Sequence, residues 1–221
     1  MFEVEKKKLT EQERVEQTNL RENCVIAGRR IKIIFWASIA NIVLNNLSTF
    51  GLLGASGSMS AKIVSGICAG IGILIAIVLL SLGRFNSYFR YAGGACLLAQ
   101  FLNYATASLP EGGIGSMLSV LAMVATAVYI LALCSGMNET VNEVDGYIAD
   151  SWISFKKTYI VVAAGLLISM VMVLLPALSG LAMLGVLVFS IVAIVLSIWE
   201  LVLLFRSGKA MTSFAKTPIE E

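Results

Sequence analysis

The chain contains no histidine. That removes imidazole acid–base catalysis, histidine-ligated haem and any histidine metal site. Its four cysteines, Cys24, Cys68, Cys96 and Cys134, stand far apart and form no CxxC pair, so they read as small apolar residues of helices. Phosphate-binding glycine loops, nucleophile elbows and metal-ligand clusters are missing from the sequence. No enzyme and no cofactor is expected. What remains able to bind something is a short set of polar side chains set in apolar sequence. Ser38, Asn41, Asn45 and Thr49 recur at spacings of 3, 4 and 4, which puts them on one face of a helix. Gln100, Asn103 and Thr106 recur at spacings of 3 and 3, with Tyr104 alongside. Two amide-bearing faces can line a path for a neutral or zwitterionic solute. They can equally hold helices together, at about 0.6–2 kcal/mol per hydrogen bond inside a membrane. Glu200 is the one acid within an apolar span, five residues before Phe205, or about 7–8 Å by helical rise. At that depth it is expected at the interface, paired with Arg84, Arg90 or Arg206; a proton- or ion-coupling role is the other reading, and it normally needs an acid nearer mid-bilayer.

These residues need elements that can hold them in lipid. Apolar residues make up 58 % of the 221-residue chain and charged residues 14 %, against roughly 45–50 % and about 25 % in soluble domains. The deficit is positional. No charge occurs over Ile33–Ala61, Ile63–Gly83, Tyr91–Pro110, Gly112–Asn138 or Thr158–Trp199. The last run has 42 residues, about 63 Å as one helix and twice a hydrocarbon core, so it must fold back, at Pro176–Gly180. Without the dyad alternation of barrel strands, helices are the only way to satisfy the backbone in lipid. The expected fold is therefore all-α and polytopic: six transmembrane helices over about 31–53, 63–82, 91–109, 113–137, 158–175 and 181–205, arranged as three outward hairpins. A flexible turn is expected at Gly54–Ser58. A polar cytoplasmic segment, 1–30, precedes this domain (31–206), and a cytoplasmic tail, 207–221, follows it.

Orientation follows from lysine and arginine. Fifteen of the 16 basic residues fall on one side of such a layout, and only Lys62 on the other. Both termini are expected in the cytoplasm, in a plasma membrane of bacterial type, with no cleaved leader. Between spans four and five, residues 138–157 carry Val141, Val144, Ile148, Trp152 and Phe155 at spacings of 3, 4, 4 and 3. This stripe predicts a cytoplasmic amphipathic helix, either packed on the protein's own loops or free to dock a partner.

Small residues Ala61, Ser65 and Ala69, beside Gly66 and Gly70, give span two a face for close helix packing, within the bundle or between copies in a homo-oligomer. The N-terminal bases alternate with acids, so a nucleic-acid partner is not expected; the bases face anionic lipid instead. In span number and size the layout resembles two families: the permease subunits of ABC-2-type exporters and the substrate-binding membrane subunits of energy-coupling-factor importers. No motif carries a site residue over from either. The resemblance implies a small transport subunit working with a separate cytoplasmic ATPase. The other expectation is a non-transporting scaffold, immunity or assembly protein, contacting its partner through the N-terminal segment and the 138–157 stripe.

Overall fold

The computed structural model describes residues 11–49, 59–108, 113–173 and 179–217. They form six helices and no strand: α1 (Glu11–Thr49), α2 (Met59–Leu82), α3 (Ser87–Ser108), α4 (Gly113–Asn142), α5 (Gly146–Val173) and α6 (Ser179–Phe214). The expected turns at Gly54–Ser58 and around Pro176 lie outside the described residues. Four helices are long and apolar enough to cross a membrane, over Ile63–Leu82, Met117–Asn142, Gly146–Ser169 and Met183–Phe214. The apolar halves of α1 and α3 are diluted by Asn41, Asn45, Asn46, Gln100 and Asn103.

Each helix packs on its chain neighbours, and α6 returns onto α1. The result is a closed ring in sequence order, with only a slight additional touch between α4 and α6. The largest fully buried side chains, among them Ile31, Ile34, Leu79, Leu82, Phe89, Leu133, Met137, Trp152 and Leu204, come from the part of the bundle that bears Arg30, Arg84, Arg90, Lys156 and Arg206. We call this the basic end. It is the close-packed floor of the bundle.

Several bases of this end do structural work. Arg30 Nη1 donates to the Ser81 carbonyl in the last turn of α2 at 2.7 Å, and Arg90 Nε to the carbonyl of Gly83, the residue after that helix, at 3.0 Å. Lys32 Nζ reaches Thr212 Oγ1 (3.1 Å) and Lys156 Nζ reaches Ser135 Oγ (2.8 Å). The next helices are started by caps. The Tyr88 amide donates to Asn86 Oδ1 at 2.9 Å, and the Tyr147 and Ile148 amides to Asp145 Oδ1 at 3.0 and 3.2 Å.

α1 runs unbroken from Glu11 into the apolar part of the chain, about 58 Å for its 39 residues. α6 continues to Phe214, and Ser207, Gly208 and Met211 are buried. The stripe over 138–157 is not one amphipathic helix. It is cut at Glu143–Asp145, where Asp145 caps a new helix that continues directly into span five.

Candidate functional site

α1 and α6 meet at two glycines. A Cβ on Gly28 would lie 2.9 Å from Thr212 Cγ2, and Gly208 Cα faces the Gly28 carbonyl closely enough that a Cβ there would sit 3.4 Å from it. This approach, with the Phe35 and Phe205 rings 5.4 Å apart farther along, brings the polar face of α1 against α6. On the other side of α1, α2 and α3 close in through another glycine. A Cβ on Gly72 would overlap the side-chain amide of Gln100, so α2 leaves out a side chain where α3 inserts one.

The outcome is a chamber of about 200 Å³, walled by Ser38, Asn41 and Ile42 of α1, Gly72 and Ile75 of α2, Cys96 and Gln100 of α3, Tyr129 of α4, and Ser197, Glu200 and Leu201 of α6. Five of the six helices contribute. Gly72 lies ten residues from the basic end of α2, and Gln100 and Tyr129 each lie thirteen from the basic ends of α3 and α4. These offsets are about 15–20 Å, close to the middle of helices that are each about 33–45 Å long.

Glu200 is therefore level with the middle of α2 and α3. α6 runs on for nine residues beyond Phe205, where the apolar run ends. The expected pairing with Arg84, Arg90 or Arg206 is not formed among the described residues. α1 separates α6 from α2, so the two helices do not touch. Arg84 stacks on the Phe85 ring at 4.4 Å, Arg90 is held by the Gly83 carbonyl, and Arg206 is exposed.

The two amide faces are brought together only in part. Ser38, Asn41 and Gln100 line the chamber. Asn45 donates to Asn41 Oδ1 (3.4 Å) within α1, and Asn103 is exposed. Thr106 Oγ1 is engaged with the Leu102 carbonyl at 2.8 Å. The Thr49 side chain lies outside the described residues. Cys96 and Tyr129 are chamber residues that spacing arguments missed. Each sits in apolar sequence with no polar partner at helical intervals, so only the tertiary arrangement reveals them.

A second, apolar cleft of about 310 Å³ lies where α4, α5 and α6 meet, with Val124, Val128, Tyr159, Val162, Leu166 and Leu167 among its walls. Val124, Val128 and Leu167 are between 41 and 47 % exposed, so the cleft is reached from the outside of the bundle. Ser197 and Glu200 belong to its wall as well as to the chamber's. One turn of α6 thus forms the partition between a polar and an apolar space.

The 138–157 stripe is spent inside the protein. Val141, Trp152 and Phe155 are at most 1 % exposed and Ile148 is buried; Val144 packs against the same core from its edge. Trp152 Nε1 donates to the buried Ser207 Oγ at 3.0 Å, and Phe155 meets the Trp199 ring edge-on at 5.5 Å. Trp152 and Phe155 thereby join α5 to α6. The glycines of the small-residue face of α2 behave oppositely: a Cβ on Gly66 or Gly70 meets nothing within 4 Å, and Ser65 is exposed; Ala61 is outside the described side chains. Among the described residues no group of histidine, cysteine or acid side chains is placed to hold a metal.

No protein-family model matches the chain, and comparison with curated proteins and with solved structures finds no significant similarity.

Proposed function

We propose that this is a multi-pass membrane protein in which all six helices span the bilayer, both termini lie in the cytoplasm, and the central chamber binds a solute as part of a small permease-like transport system. The observation that carries this reading is the chamber: Ser38, Asn41, Gln100 and Glu200 come from three helices that need not have met, and they meet at mid-height over a close-packed floor. Polar groups at that depth are costly in lipid and belong to binding sites or solute paths more than to structure. The asymmetric distribution of lysine and arginine supports the orientation. Transport against a gradient then needs an ATPase partner on the basic side. The open face at Gly66 and Gly70 would suit a second copy of the chain.

Cysteine accessibility tests the reading. In membrane vesicles, Asn41→Cys should react with a small neutral maleimide, and Val43→Cys, on the exposed outer face of α1, should react slowly because it faces lipid. Unreactive Asn41→Cys would make the chamber a dry helix interface and overturn solute binding. A scaffold reading then gains, but only through the exposed N-terminal part of α1, since the 138–157 stripe is buried. Recovery of the protein from mild detergent without any ATPase or transport component would count against the partnered form of the proposal.

A further inference from the structure

Resting on the solute-chamber reading, we propose that the ligand is an amphipathic organic cation: an ammonium headgroup held at Glu200 in the chamber, with its apolar chain or ring in the α4–α5–α6 cleft. Three features of the site lead there.

The first is charge. Neither the chamber nor the cleft has a lysine or arginine in its wall, and no ion pair or hydrogen bond of Glu200 is formed among the described residues. A carboxylate set in the wall of a chamber inside the bundle, without a counter-charge, is unfavourable, and a bound cation relieves it. Around it stand further acceptors, the side-chain oxygens of Asn41, Gln100 and Ser197. The ring of Tyr129 in the same wall offers a π face suited to a quaternary ammonium.

The second is the partition. Glu200 and Ser197 face both spaces, so a ligand anchored at Glu200 has a polar volume on one side and an apolar volume on the other. The cleft alone is at the lower end of the size of small-molecule sites, about 300–1,000 Å³, and cleft and chamber together lie within that range. A small inorganic cation would leave the cleft without a purpose. A neutral lipid chain would leave Glu200 without one.

The third is access. The floor at the basic end is closed by Ile31, Ile34, Leu79, Phe89 and Leu204, none more than 1 % exposed. The cleft, by contrast, is reached from the side through Val124 and Leu167. The apolar part of an amphipath partitioned into the bilayer can enter the cleft by this lateral opening.

The experiment uses the full chain in phosphatidylcholine nanodiscs and radiolabelled octyltrimethylammonium in equilibrium dialysis, with empty nanodiscs as background. Saturable binding is expected, displaced by unlabelled octyltrimethylammonium and not by octanoate or octanol. Affinity should rise about threefold to fourfold per methylene from butyl to octyl. Glu200→Gln should weaken binding at least tenfold. Val162→Phe, which fills the cleft, should weaken octyltrimethylammonium at least tenfold while leaving tetramethylammonium within about twofold. Equal displacement by octanoate, undiminished binding in Glu200→Gln, or no chain-length dependence would each overturn the proposal. If Glu200→Gln fails to fold, the chain-length series and Val162→Phe still decide. Labelled Asn41→Cys with no octyltrimethylammonium binding would overturn the cation and leave the solute chamber standing. Failure of both would overturn both.

Discussion

Single side chains at the basic end carry more of this structure than their positions in the sequence indicate. Trp152 has the amphipathic look of a headgroup-layer residue, yet it is fully buried and its one polar atom is satisfied by Ser207, itself fully buried. Removing one partner of such a pair strands the other, at about 1–3 kcal/mol, whereas removing both is close to neutral. Trp152→Phe is therefore expected to destabilise the protein by about 1–3 kcal/mol. Ser207→Ala should cost less in the Trp152→Phe background than in the wild type. Thermal unfolding of the two single variants and the double variant checks this as a cycle; additive losses would show that the hydrogen bond contributes nothing. Cys24 makes a second prediction at this scale. Burial, and then the nearby carboxylate of Glu143, push its thiol up from the usual range. The folded protein should therefore hold it as the unreactive thiol at pH 8, where an unfolded chain has more thiolate. Alkylation by iodoacetamide, followed by mass spectrometry, should be slower in the folded state than in denaturant by more than tenfold. Spacing puts Ser38 and Asn41 on one face of a helix, and the fold brings Gln100 to the same chamber. Tyr129 and Cys96 were not legible from spacing, because a side chain's neighbours across a bundle leave no periodic trace on its own helix.

At the scale of elements, the apolar runs gave the right number of helices and misjudged where they end. A run of uncharged residues measures how much chain is suited to lipid, and helices do not stop at that boundary. The mixed charges of Glu11–Arg21 do not break a helix, and no glycine or proline intervenes before Ile31 that would (Gly28 is absorbed at a crossing). Glycines separate the two kinds of helix face. Gly28 is pressed onto Thr212 and Met211, whereas Gly66 and Gly70 face open space. Gly28→Val should thus cost about 1–3 kcal/mol through overpacking of the α1–α6 crossing. Gly66→Ala and Gly70→Ala should each be neutral or stabilising by up to about 1 kcal/mol, because alanine is the better helix former and meets no neighbour. Thermal melting in nanodiscs reads all three. A large loss in Gly66→Ala would mean that this face is occupied, and crosslinking of the same sample would show whether a second copy covers it.

The whole molecule is a ring whose order could not be read from the chain. Short connections make consecutive helices neighbours, so α1 through α5 fall into line almost by default. The one contact that the connectivity does not supply is the return of α6 onto α1, and it decides two matters that the sequence left open. It inserts α1 between α6 and α2, which is why Glu200 has no arginine from the α2–α3 turn. It also joins Ser38 and Asn41 to Ser197 and Glu200, which completes the chamber. The seam is held by the Gly28–Gly208 crossing, the Lys32–Thr212 hydrogen bond, and the Phe35–Phe205 pair. Every other closely packed pair is also joined by a link in the chain, so the seam is expected to open first, and opening there exposes the chamber without unfolding the rest. Replacing both glycines, Gly28→Leu with Gly208→Leu, should part α1 from α6 selectively. Backbone amide exchange in nanodiscs should then accelerate by tenfold or more over residues 24–41 and 197–212, while α3 and α4 keep wild-type protection. Uniform acceleration across all six helices would mean that the bundle opens as one unit and that the α1–α6 contact is no weaker than its neighbours. Unchanged exchange at both helices would mean that the glycines do not hold the seam.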